Sequence, residues 1–466
     1  MALLSTRYKA LRGTILHCRS DNDLVTQLPT DVFGDRHRGV PALPEVGMRV
    51  QGAMDPVVQT IDDGLLLLSD ESVVGIIDAA LIEDLSAQWI VEDYRGCLIA
   101  PGFVDVHTHY PQTEMIASYG QQLLDWLERY TFPTEMRFAD PAHAKRVAEL
   151  FVRQLLSSGT TTAAVYGTVH AHSIDALFEA ALPVRMQLIA GKVLMDRNCP
   201  EGLRDDPVQG YEDSKRLIDR WHGVGRFHYA VTPRFAPTSS AAQLQAAARL
   251  LDEHSGLYLQ THVAENRAEI AWVETLYPEA RSYLDVYARY NLLRTRSILG
   301  HCVYLDQEDH ELLKASGASI AFCPSSNMFL GSGLFDLQSA RDSFQRVGIG
   351  SDVGAGTGFS VLRTVGEGYK IAQLQGQCFS PAEMLYVATL GGAQALQLEC
   401  QIGNFSCGKK ADVVVLDPTA TELTRARSNN SGSALDTFFA LAMLSDDRHI
   451  RATYIAGCRV ACASAS

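Results

Sequence analysis

Between about Ala100 and Leu396 the chain repeats one pattern eight times: a short apolar run, then a stretch with helical spacing. The runs are Phe103–His107, Thr161–Tyr166, Val184–Leu194, Phe227–Pro233, Leu257–His262, Ser297–His301, Ala318–Cys323 and Val347–Ser351. Amphipathic or Ala-rich segments such as Pro141–Ser157 and Ser240–Glu253 lie between them. Eight strands alternating with helices predict an α/β fold of the (β/α)8 TIM-barrel type rather than an open doubly wound sheet. No dinucleotide-binding glycine fingerprint follows the first run, which also disfavours the open sheet.

The flanks read differently. Tyr8–His17, Gly64–Leu68 and Ser72–Ile77 are strand-like, and so are Ala411–Leu416 and Ile450–Val460, the last with a turn at Ala456-Gly457. A small β-sandwich-like domain built from both chain ends is expected, with residues 1–97 and 401–466 supplying it and residues 98–400 forming the barrel. The stretch Ser20–Pro56, rich in Pro, Asp and Gly, reads as a long loop or insertion. At 466 residues and 47% apolar content the chain can bury a large core. Its 40 basic and 54 acidic residues give a net charge of −14. That balance argues against nucleic acid or an anionic membrane as partner, since both are met with excess Lys and Arg. With no apolar run long enough to span a bilayer, no secretory leader pattern and ten scattered cysteines, a soluble cytoplasmic protein is expected.

Barrel sites form where strands end, at the C-terminal rim. Titratable residues collect at that rim here. The first strand runs into His107 and His109, the fifth into His262, the sixth into His301 and the eighth into Asp352. His107 and His109 are two apart, so a strand projects both to one side. Barrel closure brings the eighth strand beside the first, so Asp352 can reach an ion held by those two imidazoles. Three imidazoles and a carboxylate suit a catalytic zinc with room for a water. Glu265, three residues beyond His262, is placed to take a proton from that water and return it to a ring nitrogen. Alternatively it only begins the next helix. Arg234 and Phe235 stand at the end of the fourth strand, a charged fork and an aromatic face, and Gln112 offers a donor and an acceptor. Leu123–Tyr130 has helical apolar spacing that suits core packing, with a pocket wall or lid as the alternative. The fourth strand ends without a lysine to bridge a second metal, so one metal is expected; Lys192 belongs to the third strand.

These residues resemble a known family. Pro101–His109, His262-Val-Ala-Glu265, Gly300-His-Cys302 and Gly350-Ser-Asp352 are similar to the motifs of the amidohydrolase superfamily, in its single-zinc aminohydrolase branch. Finer stretches resemble the guanine deaminase family, in particular its bacterial members: His109–Gln112, Leu124–Glu135, Gly191–Asp196, Thr232–Thr238, Ala321–Asn327, Leu330–Phe335 and Asp446–Arg448. The likeness runs from about Arg12 to Val460. It implies hydrolysis of guanine to xanthine and ammonia, with His107, His109, His262 and Asp352 as ligands of one Zn2+ per chain. It implies Glu265 as proton shuttle, Gln112, Arg234 and Phe235 as base contacts, and a neutral His301 bonded to the water, steadying developing oxygen charge. It also implies a homodimer. The alternatives are a zinc aminohydrolase for another amino-heterocycle (8-oxoguanine, a pterin, an aminotriazine), a binuclear hydrolase of cyclic amides, or a barrel scaffold without catalysis.

Overall fold

The computed structural model describes residues 8–19, 47–49, 57–82, 89–120, 122–343 and 345–460. Eight parallel strands form its centre, each hydrogen-bonded to the next in chain order. They are Phe103–His109, Thr160–Tyr166, Gln187–Gly191 with its continuation Val193–Leu194, Phe227–Pro233, Tyr258–Val263, Ser297–His301, Ser319–Phe322 and Arg346–Ile349. Every residue of the first two is buried. Strands covered on both faces need continuous rather than alternating hydrophobicity, and Val, Ala and Thr meet that need in the short runs seen here.

The third strand starts later than its sequence suggested. Leu182–Val184 is a 3-10 turn that includes Pro183, and Arg185 follows in the left-handed region at φ 58°. Pro183 has no N–H to give to a ladder, which delays the strand to Gln187. Outside the barrel, helix Pro141–Ser157 shows how the outer layer forms. Asp140 caps it by accepting from Ala142 N, Pro141 occupies its first turn, and Val147, Phe151 and Leu155 recur every four residues on its buried face. Side chains inside the strands, among them Val104, Val106, Ile189, Tyr258 and Ile298, fill the barrel axis with Leu396 and Leu398 beneath. The cylinder is therefore a packed core with a working rim, not a pore.

The first and last strands close the ring just past their ends. Asp352 N donates to His107 O at 2.9 Å and His109 N to Val353 O at 3.0 Å. Asp105 ties the same seam from within, accepting from His107 N at 3.2 Å, from Ser351 N at 3.0 Å, and from the Ser351 hydroxyl.

A second, separate sheet of eight strands comes from the chain ends. Its order is Cys458–Val460, Ile450–Ile455, Val413–Leu416, Trp89–Pro101, Tyr8–Arg19, Val57–Ser69 and Gly47–Arg49, with Ser72–Asp78 also paired to Val57–Ser69. One face packs Leu11, Ile15, Leu66, Val413 and Tyr454 together. The other places Leu16, Leu98, Val414 and Leu416 in one cluster with the barrel helices. Arg226 grips Asp412 through two hydrogen bonds of 2.9 and 2.6 Å, joining barrel to sheet. Of the loop expected over Ser20–Pro56, Gly47–Arg49 is instead a short strand, and the rest lies outside the described residues. Among the described residues no helix is long and apolar enough to cross a membrane.

Candidate active site

The rim of the barrel gathers the predicted residues. His109 Nε2 lies 3.3 Å from His107 Nε2 and 3.2 Å from His262 Nε2. Asp352 Oδ1 lies 3.4 Å from His107 Nε2 and 3.2 Å from His109 Nε2. Donors about 2.0–2.2 Å from a tetrahedral ion stand roughly 3.3–3.6 Å apart, so each of these four separations fits neighbouring ligands of a coordination shell. Lone pairs aimed at one another across 3.2 Å repel unless something positive lies between them. The set therefore fits a divalent metal. His301 stands one step out, its Nε2 3.9 Å from Asp352 Oδ2 and its donor atom within 4.8 Å of those of His107 and His262.

Local structure sets the donor states. Arg234 O accepts from His262 N at 3.2 Å and from His262 Nδ1 at 2.7 Å. The hydrogen is thereby held on Nδ1 and the Nε2 lone pair is left for an ion. Tyr166 stacks on His109 at 4.4 Å between ring centres and also flanks His107 and His262. Burial lowers the pKa of His107, takes His109 to about 3, and holds His262 well below its usual value, so all three are neutral donors. For Asp352 burial acts upward, but the facing imidazoles of His107 and His109 overturn it and hold the carboxyl well below the ordinary range. Burial raises Asp105 to about 6 against the hydrogen bonds it accepts.

Strand ends at this rim adopt unusual backbone. Ala264, His301, Cys302 and Asp352 have φ of 47°, 69°, 51° and 49°. Non-glycine residues there cost on the order of 1–3 kcal/mol each and are kept where surroundings compel them. At His301 and Asp352 the left-handed turn directs the side chain at the point where the chain leaves its strand.

Glu265 is 3% exposed, and its pKa is pushed up to about 8 by burial and then by the charge of Asp352. Its Oε1 accepts from Ser332 Oγ at 2.8 Å, and its Oε2 is 3.4 Å from His301 Nε2. Asn327 Oδ1 lies 2.9 Å from His301 Nδ1, which places the hydrogen on Nδ1 and turns the Nε2 lone pair toward Glu265 and the metal group. Glu269 holds the loop from behind, its Oε2 accepting from the backbone N–H of Glu265 and Asn266 at 3.0 and 3.1 Å.

Beside these groups opens a cleft enclosing about 400 Å³, part of it open to solvent. Gln112, Arg234, Phe235, Leu123, Trp126 and Leu330 are among the residues that line it. The segment read first as core packing is therefore also a pocket wall. Lys192, the lysine nearest in sequence to a bridging role, is paired with Asp205 instead. Four partners escaped the sequence reading: Glu135, Glu269, Asn327 and Ser332. All but Glu269 stand in stretches that carried the family likeness. Their residue types are ordinary, and only the fold shows what they face.

Residues 98–460 match the amidohydrolase family. The chain is 53% identical to the guanine deaminase of Escherichia coli over 367 residues, 79% of this chain and 84% of that one. It is 41% identical to a probable guanine deaminase of Deinococcus radiodurans over 413 residues, 87% of this chain and 91% of the relative. The solved E. coli guanine deaminase superimposes with a TM-score of 0.87 at 46% identity, covering 97% of this chain and 99% of that chain.

Proposed function

As the chain belongs to the amidohydrolase family, and within it to the guanine deaminases, we propose that it hydrolyses guanine to xanthine and ammonia at this rim. One juxtaposition carries the reading. A neutral-imidazole and carboxylate cluster of metal-shell spacing shares a pocket with a buried shuttle carboxylate, a guanidinium and an amide.

His107, His109, His262 and Asp352 would hold one zinc ion per chain. When bound, that ion acidifies a water, from a pKa of about 15.7 to about 7, and places positive charge beside the reacting carbon. The chain's own groups do the rest. Phe235 offers a face for the purine ring, and the Arg234 guanidinium meets O6, the oxygen that distinguishes guanine from adenine. Gln112 presents one N–H and one oxygen lone pair to the ring edge. Glu265 takes the proton of the attacking water and delivers it to N3 as the C2–O bond forms. Burial and the nearby Asp352 charge raise its pKa, which makes this carboxylate a stronger proton acceptor than an exposed glutamate. His301, with its hydrogen on Nδ1 and its Nε2 lone pair 3.4 Å from Glu265 Oε2, accepts a hydrogen bond from the attacking water and so orients it. Glu265 then takes the remaining proton of the new C2 hydroxyl and passes it to the amino group, so that C2=O forms as the C2–N bond breaks and ammonia leaves.

Incubating purified protein with guanine should release xanthine and ammonia in equal amounts. A panel of 8-oxoguanine, a pterin and an aminotriazine should be poorer by kcat/KM. Elemental analysis should find about one zinc per chain, and sedimentation a homodimer of twice 51.0 kDa. We assign the enzyme to the cytoplasm. Absence of xanthine alongside rapid turnover of another amino-heterocycle would move the assignment to that substrate.

A further inference from the structure

Behind the pocket wall lies a carboxylate that the chemistry above does not use. Glu135 is fully buried, and both its oxygens accept from Arg234 Nη1, at 2.9 and 2.8 Å. Its Oε1 also accepts from Gln112 Nε2 at 3.3 Å. Arg234 and Gln112 line the pocket; Glu135 stands behind both. We propose that Glu135 is a positioning residue, orienting the Arg234 guanidinium and the Gln112 amide so that together they read the oxygen-bearing edge of the substrate.

The geometry supports this for each partner. Arg234 commits Nη1 to Glu135, so its Nε and Nη2 hydrogens, without protein partners among the described residues, remain for a ligand. Phe132 lies three residues before Glu135 on the same short helix, and its ring sits 5.7 Å from the Arg234 guanidinium carbon. One helical face thus sets both the position and the plane of the fork. Gln112 is held at both ends, since its Oε1 accepts from Gly354 N at 3.1 Å while its Nε2 faces Glu135. Flipping the amide would set oxygen against carboxylate and N–H against N–H, so Glu135 fixes which end is donor. Charge gives a further reason. Burying the Arg234 guanidinium without a counter-charge would be costly, and the Glu135 carboxylate, equally buried, supplies that charge at 2.8 Å. An arginine left unpaired there would turn toward any remaining acceptor, or toward solvent.

This inference rests on the reading of Arg234 as a base contact, and a double-mutant cycle separates the two. Glu135→Gln should raise KM for guanine roughly 10- to 150-fold, the range for loss of one charge-assisted hydrogen bond, with a much smaller change in kcat. Arg234→Met should raise KM comparably. In the Arg234→Met background, Glu135→Gln should cost nothing or recover activity, because the carboxylate there has lost its counter-charge. Metal content and melting temperature are measured on every variant. Should Glu135→Gln misfold, Glu135→Asp, which retains the charge one methylene short, should give the same KM-dominated change at smaller size. Equal losses in both backgrounds, or a fall in kcat at constant KM, would overturn the role of Glu135. If Arg234→Met leaves KM unchanged, the base-contact reading fails first. If only Arg234→Met raises KM, the positioning role alone is lost.

Discussion

Replacing Gly300 by alanine probes whether the place of His107 is set by packing. Gly300 sits on the sixth barrel strand, paired with His262 across the ladder. A Cβ there would stand 2.7 Å from His107 Cε1 and 3.1 Å from its Nδ1. Carbon atoms approach comfortably to about 3.5 Å, so the ring must withdraw by roughly 0.8 Å. Nothing offers that room, since Tyr166, His262 and His109 ring centres already lie 4.9, 4.8 and 5.1 Å from the His107 ring. A metal shell tolerates about 0.2 Å, a quarter of the displacement. The strain should cost about 1–3 kcal/mol of stability. Displacement of about 1 Å at a reacting centre costs about 100-fold in rate. Gly300→Ala should therefore lose zinc to a competing chelator at concentrations the parent withstands, and its kcat/KM should fall about 100-fold. Gly432→Ala, where an added Cβ meets nothing within 4 Å, is the matched control. Parental zinc affinity and turnover in Gly300→Ala would refute the claim that close packing fixes this ligand.

Other outcomes follow from single groups. Glu265→Gln should keep its metal while losing about 10²- to 10⁴-fold in turnover, the usual worth of a positioned acid–base group; rapid xanthine formation would discard the shuttle assignment. Asp412→Ala leaves the largely covered Arg226 with only its hydrogen bonds to Gln187 and the Arg185 carbonyl, and should cost about 1–3 kcal/mol in urea unfolding. An unchanged midpoint would show that this pair does not hold sheet to barrel. His228 has its pKa lowered to about 4, chiefly by burial and then by the charges of His222 and Arg296. The folded state thus binds its proton less readily than the unfolded chain, whose imidazole titrates near 6.5. Stability from this group is present above that value and lost as pH falls toward 4, about 2 kcal/mol of it by pH 5. His228→Gln should narrow the stability difference between pH 7.5 and pH 5 by about that amount, and an unaltered difference would count against it.

The barrel was legible because each of its strands had to announce itself. A parallel strand covered on both faces needs an unbroken apolar run, and Thr161–Tyr166 or Phe227–Pro233 shows one within a residue of where the fold places it. His107, His109, His262 and Asp352 were legible for a related reason, since chemistry at a barrel rim marks where strands stop. Trp89–Pro101 was not singled out as a strand. Its first half, including Ile90, Asp93 and Arg95, is largely exposed, and backbone pairing to Tyr8–Arg12 holds it rather than hydrophobic pattern. Glu135 was equally silent, because an acidic residue on a short helix ordinarily faces solvent. Only the fold, which brings that helix to the residue just past the fourth strand, gives it Arg234 to hold. The left-handed backbone at His301 and Asp352 has no signature in residue type at all.

The order of strands in the sheet made from both chain ends has a consequence for how the polypeptide matures on the ribosome. Trp89–Pro101 has Tyr8–Arg19 on one side early, but its other neighbour, Val413–Leu416, is translated more than three hundred residues later. Through nearly all of that interval one flank of an early-made sheet waits with bare N–H and C=O groups, the kind of surface that invites pairing between nascent chains. Biogenesis of this enzyme should accordingly hinge on a late docking step, and on whatever shields that flank until it happens.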